Sequence, residues 1–258
     1  MMQTTNVTQS ISYLLIGSGR VAAHLSHYFQ LLNISRNFNF QSWDRAQDPH
    51  ALARKVSGAT HVLLAIKDEA ILPFYRQHLE GQDVTVVHFS GAHHYEGLIA
   101  AHPLMTFSSD LYTQEFYEKI HFAVTGANSL AEALPGLPNS FTLISAEQKP
   151  MYHALCVMGG NFVNLLTQKM LTGFAEMNIP AEAARPYVEK TIENVFAHGS
   201  KALTGPLVRK DAATIEANLK ALQDDNFKPI YEAFLKTYWV DYNAPAGKPL
   251  GPKKERLP

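Results

Sequence analysis

The stretch that decides the fold is ISYLLIGSGRVA, residues 11–22. A short apolar run stops at Gly17, and apolar residues then recur at helical spacing over 20–32, which predicts a strand, a tight turn and a helix. Gly17 permits the turn, and Gly19 has no Cβ to hold a ligand away from the backbone. Free N–H groups at the start of a helix attract phosphate. The stretch therefore predicts a site for a dinucleotide diphosphate on Gly17, Ser18, Gly19, Arg20 and Val21.

Two charged residues, Asp44 and Arg45, end the second predicted strand, residues 38–43. In a dinucleotide-binding sheet the adenosine ribose lies there, where an acid accepts from the ribose hydroxyls of NAD and an arginine pairs with the 2′-phosphate of NADP. Both are present, so NAD and NADP stay open, with the planar guanidinium favouring NADP. A surface ion pair is the alternative interpretation. At the end of the third strand, Ile66 and Lys67 complete the predicted cofactor site.

The two halves of the chain have different patterns. In the first half, apolar runs alternate with helical segments, which indicates parallel β–α–β units. From about residue 149 onward, apolar residues recur only at helical spacing. The predicted fold class is α/β, a doubly wound parallel Rossmann sheet followed by an all-α domain. The predicted boundaries are 10–147 for the dinucleotide-binding domain, 148–243 for the helical domain and 244–258 for a flexible tail.

Composition excludes several classes of protein. With 258 residues, of which 46% are hydrophobic and 17% charged, the chain can bury a full core. Its 22 Lys plus Arg and 23 Asp plus Glu give a net charge of −1, which argues against a nucleic-acid or anionic membrane partner. The basic run 248–256 is interpreted as a solvated terminus. One cysteine excludes an internal disulfide, and residues 1–10 lack the features of a secretory signal, so a cytoplasmic protein is predicted.

Candidate catalytic residues follow the predicted strands, because ligands of open parallel sheets bind at the carboxyl ends of the strands. Ser90 comes directly after the strand 84–89 and is predicted both to contact the cofactor and to hold a substrate oxygen. His102 titrates near neutrality and suits proton transfer to or from a hydroxyl. As an alternative, His102 could simply fix a turn before Pro103.

A second group of polar residues opens the helical half of the chain. Lys149 and His153 are four residues apart and share a helix face with Tyr152. Lys149 or Asn161 could polarise a carbonyl or bind a carboxylate, and His153 could contact the substrate. Asn161 lies in an apolar stretch, and a buried amide needs partners. The alternative is a helix start with an exposed lysine and a polar contact to the other domain.

The loop TGPLVRKD, residues 204–211, supplies one more candidate for substrate binding. Arg209 could hold an anionic substrate with two parallel hydrogen bonds. In the alternative, Asp211 caps the next helix and Arg209 pairs with Asp211 or with a dimer partner.

Metal and hydrolase chemistry find little support in the sequence. His88, His93, His94 and His102 lie close together along the chain but lack the ligand spacing of zinc sites, so no metal is predicted. Ser90 lacks the glycine pattern of a nucleophile elbow, which argues against a serine hydrolase.

Six segments carry a resemblance to a known family: GSGRVA, AIKDEAI, VVHFSGAH and AHPLMTF in the first half, then KPMYHALCVMGGN and TGPLVRKD in the second. The chain resembles Rossmann-like proteins that carry a C-terminal domain of unknown function. That group is similar to ketopantoate reductase, pyrroline-5-carboxylate reductase, prephenate dehydrogenase and 6-phosphogluconate dehydrogenase. The resemblance spans residues 11–234 and implies an NADP-type fold and oxidoreductase activity. Ser90 and the stretch from His102 to Met105 look similar to prephenate dehydrogenase, although Leu104 is inserted.

These observations predict an NAD(P)-dependent oxidoreductase. Such a protein would transfer a hydride between nicotinamide and a small carboxylate-bearing hydroxy, keto or imino substrate bound between the two domains. The alternative is a dinucleotide-binding sensor or regulatory protein without turnover. As in the relatives, the helical half is expected to form a homodimer contact.

Overall fold

The computed structural model describes residues 10–36 and 38–242, and only the backbone of 33–36 and 239–242. The chain divides into two compact units, Met1–Leu166 and Thr167–Pro258. The predicted tail, 244–258, lies outside the described residues, as does the N-terminal segment 1–9. The domain boundary near residue 147 stays a prediction; the helical residues that follow it, up to Leu166, belong to the first unit.

The first unit contains a sheet of seven strands in the order β2-β1-β3-β4-β5-β6-β7. Neighbouring strands are parallel except for the antiparallel pair β5–β6. This arrangement confirms the α/β class and the doubly wound Rossmann sheet. The strands are β1 (Ser12–Ile16), β2 (Asn39–Trp43), β3 (His61–Leu64), β4 (Thr85–His88), β5 (Ile99–Pro103), β6 (Phe122–Thr125) and β7 (Phe141–Leu143).

Both faces of the sheet are covered, which explains the continuous apolar runs of its central strands. Successive side chains of a strand point to opposite faces. In β1, Tyr13 and Leu15 accordingly enter one hydrophobic core, and Leu14 and Ile16 enter the other. All four side chains are fully buried.

Helices connect the strands of the first unit and continue beyond them. Asp48 caps the N-terminus of helix α2 (Pro49–Ser57), and its carboxylate accepts a hydrogen bond from the His50 amide. Pro49 is in the first turn, where the missing N–H of proline costs no hydrogen bond. The helices of this unit are α1 (Arg20–Arg36), α2 (Pro49–Ser57), α3 (Asp68–His78), α4 (Gln114–Glu118), α5 (Leu130–Ala133) and α6 (Lys149–Cys156), and α7 (Val163–Glu176) begins there.

The second half of the chain is helical, as the sequence predicts. Among the described residues from Lys149 to Tyr242 there is no strand. The remaining helices are α8 (Ala181–His198), α9 (Pro206–Arg209), α10 (Ala212–Ala221) and α11 (Lys228–Tyr242). In the part of the chain that the structure describes, no helix combines the length and apolarity needed to cross a membrane.

The structure departs from the sequence-based elements in two places that concern the candidate site. His102 lies within β5, a strand that the sequence did not reveal, and not in a turn. The long helix predicted after residue 149 contains a π-helical segment, Val157–Phe162, around Gly159 and Gly160. Among the described residues, nothing lies within 4 Å of a Cβ built at either glycine.

Gly17 follows β1 and contacts the chain at the ends of β2 and β3. Its amide donates to the Trp43 carbonyl over 3.0 Å, and its φ of +127° is a conformation that other residues rarely adopt. A Cβ built on Gly17 would lie 2.3 Å from the Ala65 carbonyl oxygen, whereas one on Gly19 would meet nothing within 4 Å. The first glycine is therefore required by the fold, and the second is not.

We expect Gly17→Ala to lower the free energy of unfolding by at least about 2 kcal/mol, because it adds both backbone strain and a clash with backbone. Gly19→Ala, the matched control, is expected to stay within about 1 kcal/mol of the wild type. Urea unfolding followed by far-ultraviolet circular dichroism measures both. Equal losses in the two variants would contradict this assignment.

Candidate functional site

The turn between β1 and α1 has the geometry of an anion site. The first intrahelical bond of α1 runs from the Ala23 amide to the Gly19 carbonyl, so the N–H groups of Arg20, Val21 and Ala22 remain at the open end of the helix. With open space at the Cβ position of Gly19, an anion can approach the backbone. The dipole of this 17-residue helix places a partial positive charge at its N-terminal end. The turn therefore fits a diphosphate group.

A cleft of about 890 Å³ extends along the carboxyl ends of the first strands. That volume is large enough for a dinucleotide fragment and a small substrate. It is lined by every predicted cofactor residue except Ser90, namely Gly17, Ser18, Gly19, Arg20, Val21, Asp44, Arg45, Ile66 and Lys67. Its other side is mostly apolar and includes Phe74, Phe89, Met105 and Phe107.

At the β2 end of this cleft, the two charged residues have different roles. The Asp44 carboxylate accepts from the Ala46 amide over 2.8 Å and from the Gln47 side-chain amide over 3.4 Å. Its oxygens therefore stabilise their own turn. Arg45 is exposed and lines the cleft.

Ser90 is the centre of a hydrogen-bonded cluster. Its hydroxyl donates to Asp68 Oδ2 over 2.7 Å and accepts from the His93 amide over 3.1 Å. Its own amide donates to His88 Nδ1 over 3.3 Å, and its carbonyl accepts from Lys149 Nζ over 3.0 Å. In this arrangement the buried hydroxyl has no hydrogen left for a substrate oxygen. Its observed effect is to position Asp68, and a direct catalytic role stays a prediction.

Lys149 is completely buried at the start of α6. Burial lowers the pKa of its ammonium to about 8, while the Asp68 carboxylate acts in the opposite direction. The side chain therefore remains mostly protonated at neutral pH. Lys149 thus contacts the backbone of Ser90 and is not the exposed lysine of the alternative interpretation.

His102 and Tyr152, fifty positions apart along the chain, are hydrogen-bonded through His102 Nδ1 and the tyrosine hydroxyl over 2.7 Å. Gly91 makes room for this pair. A Cβ on Gly91 would lie 3.0 Å from the His102 ring and 2.7 Å from the ring of His153. His153 therefore lies beside His102 at Gly91. Gly91 was not predicted as a site residue, although a glycine after Ser90 at a strand end was a usable signal.

Burial and neighbouring charges favour the uncharged forms of His102 and Tyr152. The pKa of His102 is lowered to about 4, chiefly by burial and secondly by the Lys149 ammonium. Burial and then Lys149 lower the pKa of His88 to about 3, and His88 Nε2 has no hydrogen-bond partner among the described residues. Burial raises the pKa of the Tyr152 hydroxyl. At neutral pH, His102 is therefore an uncharged imidazole and Tyr152 an intact phenol.

Two predicted site residues, Asn161 and Arg209, lie outside the cluster around Ser90. Asn161 is exposed in the π-helical segment, so the expectation of a buried amide is wrong. Arg209 is exposed at the end of α9 in the second unit. Asp211 caps α10, accepting from the Thr214 amide over 3.1 Å and from its hydroxyl over 2.7 Å, which confirms the cap, while the pairing of Arg209 stays a prediction. No group of three His, Cys, Asp or Glu side chains suited to a metal occurs in the described part of the chain.

Comparison with protein families finds one match, to a family described as a domain of unknown function (DUF2520), over residues 120–237. This match confirms the resemblance that the motifs of the second half indicate. Among curated proteins, no sequence is significantly similar to this chain.

Comparison with solved structures finds the same fold in several reductases. A candidate NADP oxidoreductase from Bacteroides fragilis is 23% identical, covers 89% of this chain and 98% of its own, and has a TM-score of 0.72. Pyrroline carboxylate reductase from Plasmodium falciparum with NADP bound is 13% identical over 90% and 96%, with a TM-score of 0.55. An imine reductase from Streptomyces aurantiacus is 14% identical over 90% and 94%, with a TM-score of 0.59. At these identities the similarity establishes the fold.

We expect Lys149→Met to raise the pKa of His102 from about 4 while leaving it below the usual 6.5, because the neighbouring cation is lost and the burial is kept. Histidine NMR titration measures this shift, with the exposed Lys119→Met as control. Between pH 8 and 10.5 the unfolded wild-type chain binds the Lys149 proton and the folded chain releases it. This group therefore makes wild-type stability rise with pH in that window, and the variant lacks the rise. An unchanged His102 titration would show that Lys149 does not act on this ring.

Proposed function

We propose that the protein is an NADP-dependent oxidoreductase that transfers a hydride between nicotinamide and a small hydroxy, keto or imino compound. One observation carries this proposal. The phosphate turn opens onto a cleft that also contains Asp68, and Asp68 is hydrogen-bonded to the polar cluster around Ser90. Cofactor-binding groups and groups able to handle a substrate thus meet at the carboxyl ends of adjacent strands.

The described residues can hold each part of the cofactor. The open N–H groups of α1 and the guanidinium of Arg20 would bind the diphosphate. Arg45 would pair with a 2′-phosphate, which favours NADP because the Asp44 oxygens are engaged in their own turn. When bound, the nicotinamide supplies or accepts the hydride.

The chain's own part in the chemistry is to orient groups and to manage protons. Tyr152 and neutral His102 hold each other in one orientation through His102 Nδ1, and neither is among the described residues that line the cleft. Lys149 fixes the Ser90 carbonyl and adds to the effect of burial, which chiefly lowers the pKa of His102. A carboxylate on the substrate would be held by His153, which stays a predicted substrate residue, as does Arg209.

The names of the structural neighbours support this choice of cofactor and reaction type. Two are described as an NADP oxidoreductase candidate and a pyrroline carboxylate reductase with NADP bound, and a third as an imine reductase. Reduction of a C=N or C=O bond by NADPH is therefore the direction that we propose for this chain.

We expect the purified protein to bind NADPH more tightly than NADH, and Arg45→Ala to weaken NADPH binding by about 10- to 100-fold while changing NADH binding by less than about threefold. The reason is the loss of a charge-assisted contact to the 2′-phosphate. Isothermal titration calorimetry measures both cofactors, and Arg54→Ala, an exposed arginine outside the cleft, is the control.

Turnover separates the proposed enzyme from a dinucleotide-binding sensor, the second candidate. The sensor is favoured by the burial of Lys149 and by the full engagement of Ser90. NADPH oxidation in the presence of a panel of keto acids, ketones and imines would establish the oxidoreductase. NADPH binding without oxidation across the panel would support the sensor, and an absence of binding would exclude both.

We also propose that the protein forms a homodimer through its helices. Large apolar side chains repeat at steps of four and three along one face of the first unit and are exposed to solvent: Met151, Leu155, Met158, Phe162 and Leu165. An uncharged face with heptad spacing is complementary to a second copy of itself. Its size and continuity exceed what a solvated helix normally exposes.

We expect Met158→Asp to shift the protein from dimer to monomer, since the change places a charge in the centre of the apolar face. Size-exclusion chromatography with light scattering measures the mass. Gln82→Asp adds the same charge at an exposed polar position outside this face and should leave the mass unchanged. A monomeric wild type would overturn the homodimer.

A further inference from the structure

Asp68 links two regions that are otherwise separate. Among the described residues that line the cleft, it alone is hydrogen-bonded to the Ser90 cluster, through Oδ2. Its backbone carbonyl also accepts from the Tyr95 hydroxyl over 3.2 Å. Its side chain is 45% exposed, whereas Ser90 and Lys149 are buried. Among the described residues, Asp68 is therefore the member of the cluster that a molecule in the cleft can contact.

The order of the strands indicates what lies beside Asp68 when a dinucleotide occupies the cleft. Along the sheet, the ribose end at β2 is followed by the phosphate turn at β1 and then by β3 and β4. Neighbouring strands are about 4.8 Å apart. With its diphosphate on β1, a dinucleotide extends its nicotinamide over the ends of β3 and β4. Asp68 and Phe89 follow those two strands and line the cleft.

The chemistry of Asp68 favours one kind of reacting group. An ionised carboxylate only accepts hydrogen bonds, and so does a ketone oxygen, so the two repel each other. The N–H of a protonated imine donates a hydrogen bond and carries a positive charge, so it is attracted. The rings of Phe89 and Phe107 line the same cleft and can stabilise a cation through their faces.

Cations near Asp68 have other contacts among the described residues. Lys67 also lines the cleft, but its Nζ lies 3.9 Å from Glu69 Oε1. Lys149 is buried and bound to the Ser90 carbonyl, so it offsets part of the carboxylate charge without entering the cleft. His93 Nε2 lies 3.7 Å from Asp68 Oδ2, beyond hydrogen-bond distance. The carboxylate can therefore accept from a ligand.

We propose that Asp68 binds the protonated nitrogen of an imine, so that the substrate class of this site is the iminium group and its product is an amine. This proposal rests on the proposed NADP-dependent function and makes its substrate more specific. It assigns Asp68, which the sequence analysis did not place in the site, as the residue that selects C=N over C=O.

The reaction balances without a proton donor in the hydride step. The carbon of the protonated C=N bond accepts a hydride and forms a new C–H bond, and the π pair becomes the lone pair of the amine nitrogen. The hydride, with both electrons of its former C–H bond, comes from the reduced nicotinamide, which becomes oxidised. The amine afterwards takes a proton from water. A cluster whose His102 is uncharged at neutral pH, with a pKa of about 4, suits such a step.

The test compares a matched imine and ketone, pyrroline and cyclopentanone, by following NADPH oxidation. We expect the wild type to reduce pyrroline with a kcat/KM at least about tenfold higher than that for cyclopentanone. Asp68→Asn, which keeps the shape and removes the charge, should lower kcat/KM for pyrroline by about 10- to 100-fold and leave NADPH affinity unchanged. Glu69→Gln, the adjacent exposed acid, is the control and should behave as the wild type.

A binding experiment without turnover gives a second readout. Pyrrolidine, the amine product, should bind the wild-type complex with oxidised NADP, as followed by calorimetry, and fail to bind Asp68→Asn. If that variant does not fold, the wild-type comparison of pyrroline with cyclopentanone decides. Reduction of ketones but not of pyrroline would overturn the iminium assignment while the proposed oxidoreductase stands. NADPH binding with neither reduction nor pyrrolidine binding would also overturn it, and a lack of NADPH binding would overturn the proposed function itself.

Discussion

The buried ammonium of Lys149 on the Ser90 carbonyl is the contact on which the arrangement of the site depends. Removing a charged amine from water is expensive, and one backbone carbonyl with a nearby carboxylate offsets only part of that cost, as its lowered pKa of about 8 indicates. The contact joins α6 to the end of β4. With the Ser90 peptide held in place, its hydroxyl reaches Asp68 and its amide reaches His88. Polar groups of three separate elements are thereby fixed around one residue.

Local patterns were enough to predict β1, β3 and the glycine turn between β1 and α1. β1 and β3 are buried on both faces, so their apolar residues are continuous in sequence. The turn at Gly17 is set by a backbone conformation that glycine adopts readily, with Arg20 opening the helix that follows. Each of these features is determined within about twenty consecutive residues, which is the range over which periodicity and turn chemistry act. The residues predicted to bind a cofactor were assigned from the same local patterns, and their role stays a prediction.

The polar cluster was only partly predictable because it is built from distant contacts. β5 has a weak strand signal, with two alanines and a proline, so the sequence did not reveal that His102 lies in a strand. Its bond to Tyr152 depends on how α6 packs against the sheet, which spacing does not encode. The same holds for Asp68, where an acid opening a helix is common and its partner Ser90 lies twenty-two positions away. Asn161 was misjudged because an apolar neighbourhood in sequence is not burial in the structure.

Charged side chains of opposite sign line the two parts of the cleft. Arg20 and Arg45 line the part of the cleft at the ends of β1 and β2, where phosphate groups would lie. The carboxylate of Asp68 lies toward β4, and His102 beyond it is uncharged at neutral pH, chiefly because it is buried and secondly because Lys149 is held in the interior nearby. Lys67 also lines the cleft after β3, but its ammonium lies 3.9 Å from the Glu69 carboxylate. The arginines therefore favour an anionic ligand end at β1 and β2, and Asp68 favours a cationic group at β3 and β4. If Lys149 were in the cleft instead of buried, the two ends would have the same sign, and a dinucleotide and its substrate would compete for one kind of site.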